Sequence, residues 1–187
     1  IAKSLGGFTK HDEYFESDHY VLSSAIGHLV EIAAPEEYDV KRGKWSFANL
    51  PMIPPHFALN PIQKTESRLK LLNKLIKRKD IGELINACDA GREGELIFAY
   101  TVELSKVQKP IRRLGISSMT KRAIREGFEN LRGGEDMENL EASARSRSEA
   151  DWLVGMNATR AATIKARSAF GGVVSLGRVQ TPTLGIL

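Results

Sequence analysis

Apolar positions along this chain come first in short β-like bursts and later at helical spacing. YVLSSAIGHLVEI, Tyr20 to Ile32, is rich in β-forming residues and broken at Gly27-His28, which predicts a strand with a bend or hairpin. Residues 35–61 hold five of the seven prolines together with Trp45, Phe47 and Phe57, and read as an irregular connecting segment. TESRLKLLNKLIKRKD sets Leu69, Leu72 and Ile76 on one face of a helix with Thr65 as its cap. ELINAC then reads as a strand, REGELIFAYTVELS as a helix and PIRRLGI as a short strand. In TKRAIREGFENL, Ile124, Phe128 and Leu131 fall at i, i+4, i+7 behind Thr120, a second expected N-cap. Strands alternating with helices predict a parallel sheet flanked by helices, an α/β fold.

After Gly133-Gly134 the pattern changes. MENLEASARSRSEADWLVGMNATRAATIKAR is helical throughout, and Gly171-Gly172 ends it before VVSLGRVQTPTL. The expected domains are therefore residues 1–133, α/β, and 134–187, mainly helical.

Composition narrows the class. With 187 residues and 42% hydrophobic content the chain can bury a core, and no run of 18 apolar residues supplies a membrane span. The first residues lack the charged-then-apolar pattern of a signal peptide, so a cytoplasmic protein with no membrane association is expected. Cys88 is the one cysteine, which excludes an internal disulfide and a cysteine-based metal cage; its apolar surroundings predict a packed thiol. From Trp152 to Leu187 there is no Asp or Glu, while Arg160, Lys165, Arg167 and Arg178 all fall there. Such a tract suits an anion, although a solvated basic face is an equal alternative on charge alone.

The densest chemistry is in ACDAGREGELIF, where Asp89, Glu93 and Glu95 fall within seven positions at the end of a predicted strand. Ligands of open parallel sheets gather at the carboxyl ends of strands, and two carboxylates there can hold a hard cation such as Mg2+ and present it to a phosphate. Acids in the first turn of a helix also complement its dipole, and for D-x-x-x-E taken alone that is the plainer reading.

The string is not alone. DAGREGE resembles the D-x-D-R-E-G-E signature of the TOPRIM fold, the metal-binding catalytic domain of type IA DNA topoisomerases. AIGHL, Ala25 to Leu29, is similar to that domain's early glycine-histidine turn; SRSEADWLVGMNATRA resembles the helix that enters the next domain; SLGRVQTPTL resembles that domain's S-x-G-R-V-Q-[ST]-P-[AT]-L string. LPMIPPHF and DAGREGELIF lean towards the topoisomerase III branch. The resemblance implies a Mg2+-dependent enzyme, without a nucleotide cofactor, that acts on single-stranded DNA near the nucleoid. A tyrosine attacks a backbone phosphate, holds the 5′ end covalently, lets another strand pass and reseals.

Carried over residue by residue, Asp89 and Glu93 match the metal-binding acids, Arg92 lies beside them near the phosphate, and His28 has a supporting polar role at the active site. Arg147 and Asp151 match the R-x-x-x-D pair framing the DNA groove, where i, i+4 spacing lets the carboxylate orient the guanidinium. Arg160, Arg178 and Gln180 are the expected strand-contacting groups of the second domain. Without the resemblance, Arg147–Asp151 reads as an exposed helix pair and His28 as a turn residue satisfying local backbone groups.

Two departures stand out. Gly91 replaces the motif's second aspartate, so this loop alone offers no three-acid cluster and weaker or single-metal binding is expected. The family's first strand, with its glutamate, is expected before Ile1 and the nucleophilic tyrosine beyond Leu187, since Tyr14, Tyr20, Tyr38 and Tyr100 sit in no matching context; the chain is expected to be an N-terminal piece of a larger enzyme. Two other classes compete: a TOPRIM nuclease or primase-like protein, against which GRVQTPTL argues, and a non-catalytic single-strand-binding module.

Overall fold

The computed structural model describes residues 1–38 and 45–186. The chain forms two compact units, one built from Ile1–Glu31 and Pro61–Ala144, the other from Ile32–Asn60 and Arg145–Leu187. This division differs from a single break near Gly133, because residues 32–60 pack with the C-terminal part of the chain.

The first unit is the α/β one. Strand β6 (Leu84–Asn86) pairs in parallel with β7 (Ile111–Arg113), and the helix α3 (Arg92–Ser105) connects them, as alternating apolar strands and amphipathic helices require. A short β8 (Arg132–Gly133) adds to β7 antiparallel, with Arg112 opposite Gly133. The glycine pair expected only as a break thus also closes the sheet. Leu84, Leu96, Ala99, Tyr100, Leu114 and Ile124 fill the core. In α2 (Glu66–Ile76) the buried positions are Leu69 and Leu75, so the inward face is turned from the expected Leu69–Leu72–Ile76 stripe.

The two expected caps behave differently. Thr120 Oγ1 accepts from the Ala123 amide at 3.2 Å and starts α4 (Lys121–Glu129). Thr65 holds the N-cap position of α2 but makes no cap bond; a 3-10 turn over Gln63–Thr65 precedes it, and its hydroxyl donates to Ile62 O and His28 O.

The stretch from Tyr20 to Ile32 is more broken than its pattern predicts, and two further short strands precede it. β1 (Thr9–Lys10), β2 (Phe15–Glu16) and β3 (Val21–Leu22) form an antiparallel meander, and β4 (Val30–Ile32) pairs separately with β5 (Leu59–Pro61). The expected bend lies between β3 and β4, where Ile26 and Gly27 take positive φ of 56° and 87°. The segment 35–61 is largely irregular where described; residues 39–44 lie outside the described residues.

The second unit is organised by the later part of α5 (Glu138–Ala166), 29 residues long. Trp152 donates its indole N–H to Ala33 O at 3.1 Å and meets Phe57 and Tyr38 edge-on. Asn157 exchanges bonds with both backbone groups of Met52. These polar anchors let an irregular segment satisfy its backbone against a helix. Among the described residues no helix is long and apolar enough to cross a membrane.

Candidate functional site

At the carboxyl end of β6 the backbone turns tightly into α3. The Gly91 amide donates to Asp89 O at 2.8 Å, and Glu95 N donates to Gly91 O as the helix begins. Gly94 is demanded by this turn: a Cβ there would lie 2.8 Å from the Asp89 amide nitrogen and nearer still to its carbonyl oxygen. Gly91 is not so constrained. Its backbone is extended and a Cβ would meet nothing within 4 Å. Asp89, Arg92 and Glu93 are all exposed at this turn.

His28 joins them. The positive φ of Gly27 turns the chain so that His28 Nε2 lies 3.2 Å from Glu93 Oε2, across 65 residues of sequence. His28 O also accepts from Thr65, which ties the turn to the start of α2. Two residues expected at the site from separate motifs therefore touch. Among the described residues no group of three or more His, Cys, Asp or Glu side chains gathers as a metal cage. The donor set is two exposed carboxylates and an adjoining imidazole, which fits a hard ion that keeps most of its waters and takes one or two carboxylates.

Beneath this surface lies a buried network that the sequence reading did not assign. Arg113, 3% exposed at the end of β7, donates from Nη1 to Asn86 O and Cys88 O, each at 2.8 Å, and from Nη2 to Asp89 O at 2.7 Å. Its Nε is 3.3 Å from Glu95 Oε2, and Glu95, also buried, accepts from Asn86 Nδ2 at 3.1 Å. Burial pushes the Glu95 carboxyl up, opposed by the Arg113 charge and the Asn86 bond. Glu95, the third acid of ACDAGREGELIF, thus faces inward and holds Arg113, which grips the carbonyls under Asp89. Burial likewise pushes the Cys88 thiol up, as a packed thiol should be. The signal available in sequence was a charged pair, Arg112-Arg113, inside an apolar strand.

In the second unit the expected groups divide. Asp151 Oδ1 accepts from Arg178 Nε at 2.6 Å and Oδ2 from Nη2 at 3.3 Å, whereas Arg147 Nε stands 3.9 Å away. The fork therefore forms with Arg178, 27 residues on, and Arg147 is the looser partner. The Arg178 guanidinium holds the Asp151 carboxyl below the ordinary carboxylate range. Gln180 is exposed at the start of α6 (Gln180–Leu184). Arg160 differs from the expectation of a strand contact: it is 5% exposed, with Nη2 on Glu36 Oε1 at 2.6 Å and its guanidinium 5.3 Å from the Trp45 ring centre. That guanidinium is committed to the interior of the unit.

The four tyrosines have structural surroundings. Tyr100 is buried, Tyr38 accepts from Ala58 N, Tyr14 stacks on His11, and Tyr20 meets Phe128 edge-on.

A parallel strand pair joined by a helix, with acids where the first strand runs into that helix, is an α/β arrangement of the TOPRIM-like kind. A family model described as DNA topoisomerase matches residues 135–187. The full-length topoisomerase I structure from Thermotoga maritima shares the fold, with a TM-score of 0.57 at 22% identity, covering 87% of this chain and 25% of that one. The chain belongs to the type IA DNA topoisomerases. Within that family it aligns over its whole length with DNA topoisomerase 3 from Bacillus cereus, Bacillus licheniformis and Bacillus subtilis, at 46% identity to each. It spans 25% of the length of each of these relatives.

Proposed function

We propose that this chain supplies the metal-holding and strand-holding parts of a Mg2+-dependent type IA topoisomerase, which cleaves, passes and rejoins single DNA strands through a 5′-phosphotyrosine. The observation that carries the reading is the meeting of His28 with Glu93 beside Asp89 at the end of β6. Asp89 and Glu93 would hold the ion, and the ion, when bound, supplies charge neutralisation at a backbone phosphate. His28 orients the Glu93 carboxylate, Arg92 reaches the phosphate from the same exposed turn, and Arg113 with Glu95 keeps the loop in shape from below.

Arg147 and Arg178 meet phosphates of the single strand, Asp151 fixes the plane of the Arg178 fork, and Gln180 contacts the strand next to it. The metal-holding part belongs to the unit built from Ile1–Glu31 and Pro61–Ala144, and the strand-holding part to the unit built from Ile32–Asn60 and Arg145–Leu187, a reading supported by a family match over residues 135–187. The enzyme needs no nucleotide cofactor and works in the cytoplasm on nucleoid DNA.

The test is Asp89→Asn combined with Glu93→Gln in the full-length protein. Mg2+-dependent relaxation of supercoiled DNA is lost, while single-strand binding persists because these acids repel DNA rather than hold it. Relaxation at the unaltered rate overturns the assignment.

A further inference from the structure

The second unit holds a cleft that the reading above does not use. It has a volume of about 290 Å3 and is lined by Trp45, Thr163, Arg167, Phe170 and Val173. Its aromatic walls are built in place. Trp45 carries the Arg160 guanidinium near its ring, and that guanidinium is anchored in turn on Glu36 and on Met52 Sδ at 3.2 Å. Phe170 follows the end of α5, with its amide donating to Ala166 O at 2.8 Å. Its ring lies against the bare backbone of Gly172, where an added Cβ would come within 2.8 Å of it, yet the residue remains 56% exposed. Arg167 is exposed at the rim, in a tract without an acidic residue from Trp152 onward.

The cleft is also joined to the Arg178–Asp151 fork by an extended run of chain. Thr163 Oγ1 accepts from Val174 N at 3.0 Å; Thr159 Oγ1 accepts from Leu176 N at 2.9 Å and donates to Leu176 O at 3.0 Å. Two threonines one helical turn apart thus pin residues 174–176 along α5, and Arg178 then reaches Asp151. From Thr163 to Asp151 the helix rises about 18 Å. One strand could follow that line from the fork to the cleft.

We infer that this cleft is a second strand-holding site, which takes an unpaired nucleobase on the Phe170 and Trp45 rings while Arg167 meets an adjoining phosphate. Aromatic stacking with a flanking cation is the chemistry that grips single strands without reading their sequence. The occupant is single-stranded DNA, favoured over an apolar protein segment by the acid-free, arginine-bearing surround. The inference rests on the strand-binding reading of this unit.

The experiment measures binding of labelled oligothymidylate by the full-length protein over a range of salt concentrations, for Phe170→Ala, Phe170→Trp and Arg178→Ala. Phe170→Ala weakens binding about fivefold or more, the lower range for one stacked base, with an unaltered salt slope, while Phe170→Trp keeps the affinity. In the unaltered protein, 2-aminopurine placed along the strand loses emission at one position and regains it in Phe170→Ala. Full affinity in Phe170→Ala with a loss in Arg178→Ala overturns the cleft and leaves the strand-binding reading standing; no loss in either overturns both. A Phe170→Trp variant as weak as Phe170→Ala, or 2-aminopurine emission unaltered at every position, overturns stacking.

Discussion

Gly91 and Gly94 stand three residues apart in one turn and answer to different constraints. Gly94 is held by sterics, since any side chain would collide with the Asp89 backbone. Gly94→Ala should shift that backbone and lower Mg2+ affinity even with both acids intact, which isothermal titration would register. Gly91 has open space and an extended backbone, so Gly91→Asp should fold normally and tighten Mg2+ binding by supplying a third carboxylate. A titration with unaltered affinity would mean that the added acid points away from the other two. At the second unit's fork, Asp151 is depressed by Arg178, so this pair's contribution is present above the ordinary carboxylate pKa and lost as pH falls through the depressed value. Exposure to water keeps that contribution small. Arg178→Ala should move the Asp151 titration upward, towards the ordinary carboxylate range, readable by carboxyl NMR.

At the scale of elements, the β6–α3–β7 unit is fastened by a charge pair that its exposed acids conceal. Removing one partner leaves the other buried and unpaired, so Arg113→Met should cost about 3–5 kcal/mol, seen as a lower urea midpoint. Replacing Glu95 as well, by Met, should recover part of that loss, and a double-mutant cycle would measure the coupling. Much of this architecture was legible. The helix over Arg92–Ser105 follows from its apolar spacing, and Thr120 caps α4 as its residue type predicts. The Asp89–Glu93 turn was legible through its motif, and His28 only through resemblance, because nothing local reveals a partner 65 residues away. The β1–β3 meander was missed because two-residue strands carry no periodic signal. The inward turn of Arg160 was not legible, because a basic tract gives no sign of which cation meets an acid 124 residues earlier.

At the scale of the whole molecule, the exposed cations set the response to salt. Arg147→Ala and Arg178→Ala should each weaken single-strand binding across sequences alike and reduce the salt slope by about 0.7, measured by fluorescence anisotropy. A loss confined to one sequence would point to base reading instead. The two compact units are each assembled from separate stretches of chain, with residues 32–60 interposed in the first and packed in the second. Glu36 and Met52 hold Arg160, Ala33 holds Trp152, and Met52 holds Asn157. No single crossover falling between those two stretches can therefore deliver the second unit intact. A hybrid between diverged relatives joined anywhere from 61 to 145 would marry one parent's α5 to the other's 32–60 and mismatch these anchors. Viable hybrids require both stretches from the same parent, so substitutions in the two should be inherited as linked sets.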